Sequence, residues 1–107
     1  MTAKAHVQAG ICGFVTNITA VSEDDQNVSF KIVSSCEKIQ ELAKLIPAVD
    51  AYNELKDGFD GVLYTAIRKV LKGCCSGCAV PVGLFKAMQV AAKVALPKDV
   101  NITISKE

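Results

Sequence analysis

The chain of 107 residues has no tryptophan, one histidine and no excess of either charge: 12 lysines and arginines stand against 11 aspartates and glutamates, a formal net charge of +1. That balance excludes the electrostatic footprint that a nucleic acid or an acidic partner requires. The lone histidine, His6, is so far in sequence from the cysteine-rich part of the chain that no triad of nucleophile, base and orienting group can be assembled, and no glycine-rich phosphate loop is present. Met1 to Gly10 lacks the apolar run and cleavage site of a secretory signal. Neither uncharged stretch, Ala5 to Ser22 or Gly73 to Phe85, is apolar and long enough to span a bilayer. These absences lead us to expect a cytoplasmic protein with no membrane or nucleic-acid partner, and they lean against an enzyme. With no repeat, low-complexity tract or linker, residues 1–107 read as one domain.

What is present is an apolar half and a cluster of thiols. Half the residues are hydrophobic and 21% are charged, which excludes disorder because such a chain can bury enough apolar surface to offset its conformational entropy. The five cysteines are the unusual feature. In a reducing compartment, clustered cysteines more often bind metal or do redox chemistry than form structural disulfides, and an odd number leaves one thiol over in any complete pairing.

Hydrophobic periodicity outlines the fold. Ala5 to Val21 alternates with period two through Val7, Ile11 and Val15, then slips parity at Phe14, Ile18 and Ala20. Gly10 and Gly13 bracket Ile11-Cys12 and suggest a bulge there. The polar run Ser22 to Asn27 reads as a turn into a second strand carrying Val28, Phe30 and Ile32. Ser34-Ser35-Cys36-Glu37 has the form of a capping box opening a short helix that Pro47 stops. Asp50 can start a further helix through Leu55 in which Tyr52 and Leu55 pack. Asp60 can cap another with Val62, Leu63, Ala66, Ile67 and Val70 inward, and Gly73 suits its end. From Pro81, Leu84, Phe85, Met88, Ala91, Ala92 and Ala95 make the face of a last helix, broken at Pro97. Val100, Ile102 and Ile104 alternate with Asn101, Thr103 and Ser105 as a terminal strand would. The expected fold is α+β: an antiparallel three-stranded sheet, formed by the N-terminal hairpin and the C-terminal strand, packed on about three to four helices.

The cysteine loop Gly73-Cys74-Cys75-Ser76-Gly77-Cys78 falls between two expected helices. The spacing of Cys75 and Cys78 lets both sulfurs face one ion, but a single pair supplies only two of the four ligands that zinc or an iron–sulfur cluster normally takes. Cys12 and Cys36 can supply the others, since pairing Ala20 with Val28 sets Cys12 opposite Cys36. Cys36 and Cys78 also sit near helix starts, where unpaired amides and the macrodipole favour a thiolate. Cys74 reads as a spare thiol or a packing residue, and His6 as an exposed strand residue.

At Leu71-Lys72-Gly73-Cys74-Cys75-Ser76-Gly77-Cys78-Ala79, with a helix, Leu96-Pro97 and a strand from Val100 to follow, the last third of the chain resembles the C-terminal domain of NifU-type iron–sulfur scaffold proteins. The resemblance implies that Cys75 and Cys78 hold a cluster, often shared between two subunits, and hand it to client proteins. Through Gly10-Ile11-Cys12-Gly13-Phe14, Ser35-Cys36-Glu37 and Cys78-Ala79-Val80-Pro81, the whole chain also resembles a small uncharacterised family of anaerobic bacteria and archaea, which implies no known activity.

The sequence therefore points to a protein that binds zinc or an iron–sulfur cluster through Cys75, Cys78, Cys12 and Cys36, with a client or redox-partner protein and a possible homodimer. Two alternatives stand beside it. One is a thiol–disulfide or sulfur-relay protein in which one of Cys75 and Cys78 attacks and the other resolves. The other is a structural or interaction module whose five sulfurs are all buried filler.

Overall fold

The computed structural model describes residues 1–107. Its sheet begins with strand β1, Thr2–Gln8, followed by β2, Val15–Val21, and β3, Asn27–Ser34. Helix α1, Glu37–Leu45, leads to the two-residue strand β4, Val49–Asp50, and then come α2, Ala51–Asp57, α3, Val62–Val70, and α4, Val80–Ala91. The class is α+β, and the sheet is antiparallel in the order β1-β2-β3-β4.

The sheet has four strands and not three, and its composition corrects the expectation at both ends of the chain. Ala5 to Val21 is not one bulged strand. Gly10 and Gly13 adopt left-handed φ values of 76° and 74°, which only glycine takes without a Cβ penalty, and they fold Gly10–Cys12 into a 3-10 turn that reverses the chain. The parity slip in the sequence is the signature of that reversal. At the other end, the alternating residues Val100, Ile102 and Ile104 form no strand and stand 53%, 69% and 88% exposed. Alternation makes a segment fit for a sheet, but a strand exists only when a neighbour takes up its backbone hydrogen bonds.

One face of the sheet is buried and the other open. Ala3, Ile18, Ala20 and Val28 point into the core, while Lys4, His6, Asn17, Ser29 and Lys31 face out. His6 is exposed as expected, and its Nδ1–H donates to Asn17 Oδ1 across the strands at 2.7 Å. The turn from β2 to β3 is stapled by Asp24, which accepts from the Gln26 and Asn27 amides and the Asn27 side chain. Those bonds, led by the Asn27 side chain, hold its carboxyl down at about 2.

Helix α4 covers β1 and β2, burying Val80, Leu84, Ala87, Met88 and Ala91, with each large side chain contributing roughly 1.5–3 kcal/mol of hydrophobic stabilisation. Gly83 permits the close approach: a Cβ there would lie 2.7 Å from Val7 Cγ2. The 19-residue run Gly73–Ala91 is, by length and composition, long and apolar enough to cross a membrane, which the shorter stretch to Phe85 is not. In this fold the apolarity of its α4 part covers the sheet.

The helix caps also depart from the sequence pattern. Ser34 belongs to β3, and the residue at the start of α1 is Cys36, with no side-chain cap. In α2, Asp50 caps as expected, accepting from the Tyr52 and Asn53 amides, but Tyr52 and Leu55 are exposed and the buried pair is Ala51 and Glu54. Asp60 does not cap α3. The 1%-exposed carboxylate of Glu54 does, accepting from Val62 N at 3.0 Å and Leu63 N at 2.7 Å, and Gly61 makes room for it because a Cβ there would meet Glu54 Oε2 at 2.9 Å.

Candidate metal centre

Three segments bring cysteines to one end of the sheet. The first is the 3-10 turn Gly10–Cys12 between β1 and β2, which carries Cys12. The second is the exit from β3 into α1, where Ser35 N donates to the Val15 carbonyl at 3.1 Å and Val15 N to Ser35 Oγ at 3.0 Å. Thr16 Oγ1 and Ser34 Oγ share a hydrogen bond of 2.7 Å, and Cys36 N donates to Ser34 Oγ at 3.1 Å. Cys36 is thus pinned beside the start of β2. The third is the 3-10 turn Gly73–Gly77, which holds Cys74 and Cys75 and passes Cys78 into α4. Gly73 takes a left-handed φ of 63° at its start, and Cys78 N donates back to the Cys75 carbonyl at 3.1 Å.

The hairpin register differs from the expected one and yet delivers the same neighbourhood. Ala20 pairs with Phe30, not Val28, and Thr16 with Ser34. Cys12 therefore lies in a turn beyond the β2–β3 ladder and is not Cα-paired with Cys36. The shift preserves parity, so the core face of each strand is unchanged. The two cysteines still flank the same end of β2, one before its first residue and one after the last residue of β3.

All five cysteines are free thiols, with Cys12 and Cys74 exposed and Cys36, Cys75 and Cys78 half-buried against the core. Burial pushes the Cys78 thiol above its ordinary value of 9.0; the Val80 amide, donating to Cys78 Sγ at 3.5 Å, pulls the other way; and the charges of Cys36, Cys75 and Cys12 add to the rise. The lowered pKa expected from a helix start is corrected for Cys78, because desolvation outweighs the single amide. The same balance shows that the other three cysteines lie within electrostatic reach of Cys78.

The side chains are not drawn into a finished ligand set. No group of three or more His, Cys, Asp or Glu side chains is placed to hold a metal ion in this conformation. The chemistry of the donors nevertheless fits a soft cation or cluster: sulfur alone, three of the four half-buried, and glycines on both cysteine turns to let the loops close.

Glu54 escaped the sequence reading, although its place is structural. It fixes the start of α3, and α3 leads into the Gly73–Gly77 turn. The signal that could have found it is a helix opening on Gly61-Val62 with a carboxylate one short helix upstream.

Fold and site together define a small α+β domain with a thiol-lined sheet end. The chain belongs to a family of unknown function, DUF6951, whose model matches residues 3–104. No curated protein and no solved structure matches it.

Proposed function

We propose that this protein binds a metal ion or an iron–sulfur cluster through Cys75, Cys78, Cys36 and Cys12 and carries it in a reducing cytoplasm, for delivery to a client or for electron transfer to a redox partner. The observation that carries the reading is the placement of Cys12, Cys36 and the Cys75–Cys78 turn at the same end of the sheet, with sulfur as the donor on all three segments. Cys78 is made harder to ionise by burial and by the charges of the other three, and a cation among them would relieve that repulsion. A bound zinc or iron–sulfur centre would hold the sulfurs as thiolates, with redox chemistry available only to the cluster. Cys75 and Cys78 would form the anchored half of the ligand set, Cys36 the third member, and the exposed Cys12 the outward one. The resemblance of the Leu71 to Ala79 loop to NifU-type scaffolds supports the cluster form over zinc.

The raised Cys78 value disfavours the thiol–disulfide alternative in the form where Cys78 attacks, since an attacking thiol needs a ready thiolate. The filler alternative, which requires five buried sulfurs, is at odds with the exposure of Cys12 and Cys74. The test is metal and acid-labile sulfide analysis of protein purified without oxygen. Iron with sulfide, or zinc, at about one centre per chain or per pair of chains is expected. Metal-free protein that folds fully and ignores added iron, sulfide and zinc would contradict the proposal.

A further inference from the structure

Two features of this chain are each incomplete, and each fits the other. The first is the outer edge of β1. Only β2 pairs with β1, so one side of the strand from Thr2 to Gln8 offers unpaired backbone groups. The opposite side of the sheet is better closed: β4 pairs with the start of β3, and α1 packs along β3 with Gln40 Nε2 donating to the Ser34 carbonyl at 2.8 Å. The second feature is the segment Val100 to Ser105. It alternates apolar and polar residues, has no charge, makes no backbone hydrogen bond and belongs to no element. Every residue from Leu96 to Glu107 is exposed. Three β-branched apolar side chains held in water at alternate positions are out of place unless something covers them.

We propose that Val100 to Ser105 of one chain adds as a strand to the outer edge of β1 in a second copy, which returns its own segment in the same way, giving a two-fold dimer. The occupant is a second copy because the complement of each incomplete feature is on this same chain, so one contact made twice satisfies both. The lengths agree, a six-residue segment against a seven-residue strand. The parity agrees as well. Val100, Ile102 and Ile104 fall in line with Ala3, Ala5 and Val7 beside α4, and Asn101, Thr103 and Ser105 fall with Lys4 and His6 on the open face. Ala92 to Val94 are bonded back onto α4, and the connection from Val94 to Val100 can span about 20 Å extended, enough to leave its own body. Thiol chemistry takes no part in this contact.

Sedimentation equilibrium and backbone hydrogen exchange of the full chain test it, at about 100 μM, where a micromolar dimer is populated. Wild-type protein should show the mass of two chains and protected amides along β1. Ile102→Pro, which removes a ladder donor from a segment outside the core, should show the mass of one chain, an unchanged helical signal in circular dichroism with at most a small loss of strand signal, and at least about tenfold faster exchange along β1. Ile102→Lys should act in the same direction. A wild-type mass of one chain overturns the proposal, including the case in which β1 is protected because the segment folds onto its own edge. So does a dimer that survives both substitutions.

Discussion

The two cysteine turns, Gly10–Cys12 and Gly73–Gly77, are built alike and held differently. Each is a 3-10 turn with a left-handed glycine, and each ends next to an element of the core. The first is a free-standing reversal whose Ile11 and Cys12 project into solvent. The second is clamped between α3 and α4, with Cys75 and Cys78 packed on the core. The same local device therefore gives an outward, replaceable thiol in one place and an anchored pair in the other. What separates them is the tertiary support on either side of the turn.

The largest effect that would sharpen this contrast is on metal binding. Cys75→Ser or Cys78→Ser should cost at least about a thousandfold in zinc affinity, whereas Cys12→Ser should cost roughly ten- to a hundredfold, since water or buffer thiol can take an exposed position. Competition with a chromophoric chelator measures both, and equal losses at Cys12 and Cys78 would break the comparison. Next is the support of the second turn. Glu54→Ala strips two buried amides at the start of α3 of their acceptor and should cost about 2–4 kcal/mol in urea unfolding, while Gln keeps an acceptor and should cost less. Gly83→Ala, whose Cβ would meet Val7, should cost about 1–3 kcal/mol by moving α4 off β1. Gly13→Ala meets no atom and should cost only about 1 kcal/mol, for the left-handed backbone alone.

The pH dependence is subtler and has a fixed sign. Because the folded Cys78 pKa is raised, its stability contribution is fully present below the unfolded thiol value and is lost as pH rises through the folded one. Metal-free protein should therefore weaken at pH above about 9, and Cys78→Ala should flatten that decline. Chemical denaturation across pH 7 to 10 measures it.

Much of this molecule was legible because its helices carry their periodicity openly. Leu63, Ala66, Ile67 and Val70 of α3, Leu84, Met88 and Ala91 of α4, and the Asp50 cap follow from spacing and turn chemistry, while Val62, expected inward, is exposed and the last helix ends at Ala91, short of Ala95 and Pro97. Three further things did not follow. The Gly10–Gly13 reversal reads as a bulge, because two glycines in an alternating run signal either, and only the partner strand decides. The Val100 to Ile104 segment has a strand's pattern, but pairing is a property of two segments. Ser34 to Glu37 spells a capping box, yet Ser34 is already committed to the β3 ladder. At the site, the placement of Cys12 before β2 and Cys36 after β3 was legible from the hairpin, though the register that suggested their direct pairing was two residues off. The rise at Cys78 was not legible, since burial of a loop thiol is decided by packing between elements distant in sequence.

The most direct measurement is X-ray absorption at the metal edge of protein loaded with zinc or reconstituted with iron and sulfide under anaerobic conditions. Four sulfur neighbours at about 2.3 Å per metal are expected, all thiolate for zinc and thiolate plus sulfide for a cluster, falling to three or fewer in Cys78→Ser. A metal shell of nitrogen and oxygen, or a spectrum unchanged by Cys78→Ser, would contradict a thiol centre at this end of the sheet.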